Sequence, residues 1–147
     1  MRKYNIVIVG ASGAVRTELI KILQDRNPPL GEPKPAATKR SAGKELFFRG
    51  KPHVVEVTTP DSFNGMDIAL FAGGIASKEF GTAAVERGAV VIDNSSNYRM
   101  DPAVPLVVPE VNPEDVKWHQ GIIANPNCST IQMVVALKPI HDAAVLM

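Results

Sequence analysis

A chain of 147 residues with 45% hydrophobic residues suffices for one domain with a real core, and its net charge of +1 comes with no basic tract of the kind that tracks nucleic acid. The apolar run Ile6 to Val9 is too short for a signal-peptide core or a membrane span, so a soluble, cytoplasmic protein is expected. The single cysteine, Cys128, excludes an intramolecular disulfide, and His53, His119 and His141 show no metal-ligand spacing, so no metal is expected.

Tyr4 to Val9 is a continuous apolar run ending at Gly10, the pattern of a parallel strand buried on both faces. Gly10-Ala11-Ser12-Gly13 reads as a tight turn. A helix follows from about Ala14, with Val15, Leu19, Ile22 and Leu23 on one stripe, and Pro28-Pro29 stops it. A second strand is expected within Leu30 to Ala37, although Pro33 and Pro35 do not suit a central strand. Thr38 to Gly43 is a polar loop, and Lys44 to Thr59 reads as short strands with Val54, Val55 and Val57 as their apolar part.

Met66 to Phe71 is another buried strand, ending at Gly73-Gly74. Ser77 resembles an N-cap for a helix that runs to about Arg87. Ala89 to Ile92 and Leu106 to Val108 read as strands, and Asn112-Pro113 as a capped helix start with proline at its first position. Gly121 to Ala124 is a last strand. A long helix from Cys128 carries Ile131, Val134, Val135 and Leu137, and His141 follows a proline near its end. Strands alternate with helices and glycine turns follow strands, which predicts an α/β doubly wound, mostly parallel sheet. Residues 143–147 carry no stop signal, so the chain is expected to end in mid-architecture.

Three places on this frame invite chemistry. Strand, Gly10-x-x-Gly13 and helix together point backbone N–H groups at a positive helix end, where a pyrophosphate binds; a plain tight turn is the alternative. Arg16 stands where the third glycine of such turns allows close packing, so it must reach solvent or push the helix off the sheet. The segment Thr38-Lys39-Arg40-Ser41-Ala42-Gly43-Lys44 holds cations and hydroxyls and no acid. It suits a 2′-phosphate and favours NADP over NAD, with a solvated basic loop as the alternative.

Cys128 lies at a strand's carboxyl end and a helix N-terminus, which favours the thiolate; an inert buried thiol is the alternative, with the two evenly balanced. Arg99, beyond another strand end, could hold an anionic substrate. By itself a salt bridge to Asp101 or Glu110 is the better reading.

The chain resembles the aspartate-semialdehyde dehydrogenase family almost from end to end. The matching segments include Gly10-Ala11-Ser12-Gly13-Ala14-Val15, Lys39-Arg40-Ser41-Ala42-Gly43-Lys44 and Phe71-Ala72-Gly73-Gly74. They continue with Val91-Ile92-Asp93-Asn94-Ser95-Ser96, Tyr98-Arg99-Met100-Asp101, Val104 to Asn112, and Asn125-Pro126-Asn127-Cys128-Ser129-Thr130.

The resemblance implies a Rossmann-like domain over residues 1–147, ending in the helix after the nucleophile, with the family's second, substrate-binding domain absent. It implies reversible, NADP-dependent and phosphate-linked interconversion of L-aspartate 4-semialdehyde and L-aspartyl-4-phosphate, serving lysine, methionine and threonine synthesis. Cys128 matches the nucleophile that carries the thioester, and Arg99 and Asn127 match groups on the phosphate or acyl centre. Gly10, Ser12, Gly13, Ala14, Val15, Thr38, Arg40 and Ser41 match the NADP cradle, with Gly73 and Gly74 beside the cofactor. Partners would be the small-molecule substrates and, as in the family, further copies in a homo-oligomer, with no nucleic acid and no membrane.

Arg16 replaces the family's glycine, and Ile75-Ala76 stands where a serine is more usual. The family's acid/base histidine and second substrate arginine belong to the absent domain, so the isolated chain is expected to bind NADP without turnover. Two alternatives remain: a non-catalytic NADP-binding module, and an enzyme like N-acetyl-glutamyl-phosphate reductase, which shares the glycine turn and the Pro-Asn-Cys nucleophile.

Overall fold

The four residues of β1 (Ile6–Val9) are all buried, and they divide between two cores. Val7 and Val9 join Ala69, Phe71 and Val91 on one face of the sheet, while Ile6 and Ile8 join Ile20, Leu46, Phe48 and Val55 on the other. Side chains alternate along a strand, so only a strand covered on both sides can bury such a run. Each fully buried valine or isoleucine contributes about 1.5–3 kcal/mol over an exposed one.

The computed structural model describes residues 2–10 and 14–144. Ser12 and Gly13 of the expected cofactor turn lie outside the described residues, as do Ala11, the side chain of Ala14 and residues 145–147.

The main sheet also contains β2 (Lys34–Ala37), β5 (Glu56–Val57), β6 (Ile68–Phe71), β7 (Val90–Asp93) and β8 (Ile122–Ala124). Their order is β5-β2-β1-β6-β7-β8, and every pairing is parallel. The chain moves outward one way from β1 and the other way from β6, so the direction of winding switches between these neighbours. With α1 (Ala14–Arg26) on one face and α2 (Gly74–Glu86) on the other, this is the expected doubly wound, Rossmann-like arrangement. The antiparallel hairpin of β3 (Glu45–Phe48) and β4 (Lys51–Val54) adds Leu46 and Phe48 to the α1 side. Its two-residue turn, Arg49-Gly50, has positive φ at both positions (49° and 76°), the mirror-image turn that matches strand twist. Arg49 tolerates this because Gln24 Oε1 accepts its backbone N–H and Asn27 Oδ1 accepts its guanidinium.

Pro35 does sit within a paired strand. In a parallel ladder the N–H and C=O of one residue face the same neighbour. Ala36 C=O accepts from Gly10 on the β1 side, and Ala37 C=O accepts from Thr58 on the β5 side. Pro35 therefore faces the β5 side, one residue before that pairing begins opposite Ala36, where no ladder donor is needed.

Four sequence expectations change. In α1 the most buried residue is Ile20, with Leu19 and Leu23 packed beside it, whereas Val15 and Ile22 are exposed; the hairpin over the helix moves the contact stripe. Ser77 is not an N-cap. Gly73 occupies that position and Ser77 is buried in the first turn of α2. Leu106 to Val108 forms a single bridge, Leu106 with Ala124, instead of a strand. The helix after Asn112 is a 3-10 segment, Pro113–Trp118, and the Asn112 side chain does not cap it. Asn112 Oδ1 accepts the Val108 N–H, and its Nδ2 donates to Leu106 O and Asp115 Oδ2.

The last helix, α3 (Cys128–Ala144), buries none of its residues, and Met133, Val135, Leu137 and Ile140 are exposed. No helix among the described residues is long and apolar enough to cross a membrane.

Candidate functional site

All the strand ends of the main sheet that matter for chemistry lie on one edge, because the strands are parallel. β1 runs out into Gly10, β2 into Thr38, β6 into Ala72-Gly73, β7 into Asn94, and β8 into Asn125. Neighbouring strands are about 4.8 Å apart, so the ends of β6 and β8 are separated by roughly 10 Å. The crevice beyond such ends, at the point where winding reverses, is where ligands bind in open α/β sheets.

Gly10 and Gly73 face each other at that point. Gly10 has φ +79°, and a Cβ built on it would stand 3.3 Å from the Gly73 backbone nitrogen. A side chain at Gly10 would thus be both strained by its positive φ and tight against the Gly73 backbone. Gly73 is the N-cap of α2 without any side-chain cap, so the first N–H groups of that helix are available to a ligand.

The basic loop follows β2. Thr38 C=O accepts the N–H groups of Ser41 and Ala42, closing a tight turn. Ser41 is buried beneath it, and Thr38, Lys39 and Arg40 are exposed. Neither Lys39 nor Arg40 forms a hydrogen bond or ion pair with another described residue. Beside them a cleft of about 230 Å³ is lined by Ala37, Thr38, Lys39, Val57, Ile75 and Phe80, among others. Its lining is mostly apolar, with Lys39 and Glu79 as its charged members, and such an apolar cleft fits a planar base. Arg16 resolves the packing problem sideways: it lines a groove with Thr17, Lys21 and Phe47, between α1 and the β3–β4 hairpin.

Cys128 is the first residue of α3, and it is exposed. The loop before it is anchored twice. Asn125 N–H donates to Asp93 O (2.8 Å), and Asn125 O accepts from Arg99 Nε (2.8 Å). Arg99 Nη2 also donates to Asn94 O (3.3 Å). Arg99 therefore ties the loops after β7 and β8 together, and among the described residues it forms no salt bridge to Asp101 or Glu110. Asn127 caps α3, its Oδ1 accepting the Ser129 N–H at 3.0 Å. Asn127→Ala is expected to cost the helix about 1 kcal/mol. Because α3 buries nothing, the loss should show as faster amide exchange at Ser129 to Ile131 with little change in the global unfolding midpoint.

Sequence reasoning passed over a polar cluster beneath these loops. Asp93 and Ser77 are both fully buried, Ser95 bonds to Asp93, and Tyr98 Oη donates to Ser77 O (3.3 Å). Burial, then the Asp93 charge, pushes the Tyr98 phenol above its ordinary range. Gly81 has no side chain where the Tyr98 ring lies against α2. The available signal was an acid at a strand end followed by Asn-Ser-Ser, residues whose side chains bond nearby backbone.

Residues 5–119 match the family model described as semialdehyde dehydrogenase, NAD binding domain. An aspartate-semialdehyde dehydrogenase of Aquifex aeolicus is 59% identical over 145 residues, which are 96% of this chain and 43% of that protein. The crystal structure of aspartate semialdehyde dehydrogenase II from Vibrio cholerae, complexed with ASA, superposes with a TM-score of 0.91 at 48% identity, covering 97% of this chain and 48% of that one. The Candida albicans aspartate semialdehyde dehydrogenase with NADP gives a TM-score of 0.81 at 28% identity, covering 99% of this chain and 48% of that one. The chain thus spans less than half the length of these relatives.

Proposed function

The chain belongs to the semialdehyde dehydrogenase family, of which it carries the NAD-binding domain, and on that premise we propose that it holds NADP and the thiol nucleophile for phosphate-linked interconversion of L-aspartate 4-semialdehyde and L-aspartyl-4-phosphate. The observation that carries this reading is the exposed Cys128 at the start of α3, on the same sheet edge as the Gly10 and Gly73-Gly74 turns.

NADP, when bound, supplies or removes a hydride. The chain's own groups do the rest. Backbone at Gly10 and the first turn of α2 would line the pyrophosphate, and the cleft beside Ala37 and Phe80 would take the base. Arg40, with Lys39 and the Thr38 hydroxyl, would hold the 2′-phosphate, since guanidinium bonds phosphate through paired, charge-assisted donors.

In the reducing direction the Cys128 thiolate attacks the acyl carbon of the aspartyl phosphate. A C–S bond forms, the C–O bond to phosphorus breaks, and inorganic phosphate leaves. The Cys128 thioester is the acyl form that the cofactor's hydride would reduce, with the Cys128 thiolate as the leaving group. Arg99, close to Cys128 in the fold through its bond to Asn125, would stabilise the leaving phosphate with the guanidinium donors its two carbonyl bonds leave spare.

Because the chain spans under half of its relatives, we propose that turnover also needs a portion equivalent to the rest, which in the family brings the acid/base group. The test is phosphate-dependent reduction of NADP by L-aspartate 4-semialdehyde, measured with the chain alone and with the remaining portion of a relative supplied. Activity only in the second case is expected; family-like rates from the chain alone would overturn the dependence. NADP should bind more tightly than NAD. Arg40→Ala should lower NADP affinity about tenfold to a hundredfold, the worth of one or two charge-assisted hydrogen bonds. Calorimetry showing equal affinities in the parent chain would remove the 2′-phosphate assignment.

A further inference from the structure

Asp93 is a carboxylate with no exposure at all, at the end of the second strand from the edge, and neither step above uses it. No described lysine or arginine pairs with it. A carboxylate withdrawn from water is tolerated only where donors replace the water. Here both come from one residue. Ser95 N–H donates to Oδ1 at 3.2 Å, and the Ser95 hydroxyl donates to Oδ2 at 2.6 Å.

That leaves the Ser95 oxygen free to accept. It takes the Asn97 N–H at 3.2 Å and lies 3.4 Å from the hydroxyl of buried Ser77 in the first turn of α2. Asn97 Nδ2 in turn donates to Gly74 O at 2.6 Å. On its other side, Asp93 gives its backbone carbonyl to Asn125 N–H at 2.8 Å, three residues before Cys128. One residue is thus bonded in one direction to the glycine turn at the head of α2, and in the other to the nucleophile loop.

We propose that Asp93 is a positioning residue: its buried carboxylate, acting through Ser95 and Asn97, fixes Gly74 at the head of α2, while its backbone carbonyl fixes Asn125, so that the glycine turn and the Asn125–Cys128 loop keep one spacing and cofactor binding is coupled to the state of the thiol. The use made of that spacing rests on the function proposed above; the hydrogen-bond chain itself does not. A carboxylate serves both contacts because it accepts at each oxygen. An asparagine of the same shape must turn an NH₂ toward the Ser95 N–H or hydroxyl. If the amide nitrogen takes the Oδ2 place it becomes the donor, and the Ser95 hydroxyl must turn its proton away from residue 93 toward Ser77, 3.4 Å off, which reorients the oxygen that Asn97 N–H bonds.

The experiment compares the parent chain with Asp93→Asn and with Ser95→Ala, which breaks the same chain without altering a charge. Amide chemical shifts are mapped first, without cofactor. Both variants should displace Gly74 and Asn125 to Ser129 together and leave β1 and β2 in place. Shifts confined to residues 93–97 would overturn the proposal.

The second measurement is iodoacetamide alkylation of Cys128, with and without saturating NADP. The parent rate should change on NADP binding, and in both variants that response should shrink by about two- to thirtyfold, the range over which residues of a coupled network modulate it. A purely structural Asp93 would lower the unfolding midpoint and leave the response intact, which would also overturn the proposal, as would a parent rate indifferent to bound NADP. A parent chain that does not bind NADP defeats the proposed function, and the shift map then still decides for or against the hydrogen-bonded link. Should Asp93→Asn fail to fold, Ser95→Ala carries both measurements.

Discussion

Phe71→Ala is expected to remove about 3–5 kcal/mol of stability, the usual cost of emptying a buried phenylalanine site. Phe71 closes β6, a strand with neighbours on both sides, and is 1% exposed. Its ring stacks on Phe63, with centroids 5.9 Å apart and planes 25° from parallel, and Phe63 in turn meets Phe80 of α2 at 6.4 Å. The strand cannot relax into the hole without breaking pairs with β1 or β7, so the cavity term remains almost whole. Against a typical domain stability of about 5–15 kcal/mol, the variant would be near its threshold. Urea unfolding decides it: the midpoint should fall with the slope unchanged, and a loss under about 1 kcal/mol would mean that the ring is not packed as described. Ile140→Ala is the internal control. Ile140 is 51% exposed on α3, and its loss should stay within about 0.5 kcal/mol.

Cys128→Ser is expected to abolish phosphate-dependent NADP reduction in the assay with the remaining portion of a relative supplied, lowering the rate by about a thousandfold or more, as removal of a covalent nucleophile does elsewhere. Serine keeps the size and the capping geometry at the first position of α3, so the loop tied by Arg99 and Asp93 should stand unchanged. What changes is the nucleophile. A hydroxyl is protonated at neutral pH and stays a far weaker nucleophile than a thiolate, even with the acid/base group of the remaining portion supplied. NADP affinity should be untouched, which separates lost chemistry from lost binding. A serine variant within about tenfold of the parent rate would rule out the thioester route.

What the residues disclosed by themselves was the rhythm of the fold and the positions of the candidate site residues along it. An unbroken apolar run before Gly10 suits a strand covered on both faces, and glycine turns at strand ends follow from backbone sterics. These are local rules, and they also placed Cys128 at a strand-to-helix junction and the cations of Lys39-Arg40 after β2. Resemblance then favoured the nucleophile reading of an evenly balanced cysteine, through six further matching segments.

Tertiary structure alone decided the rest, because it depends on what lies across the gap. Which face of α1 is buried was set by a hairpin far along the chain, so Ile20 displaced Val15 and Ile22. Pro35 could enter a paired strand because its missing donor falls where β5 has not yet begun. Ser77 became a buried partner of Ser95 instead of a cap, and Arg99 found two carbonyls instead of a carboxylate. The link from Gly74 through Ser95 and Asp93 to Asn125 joins residues more than fifty positions apart. No local pattern encodes such a link; it exists only once parallel strands set their ends side by side.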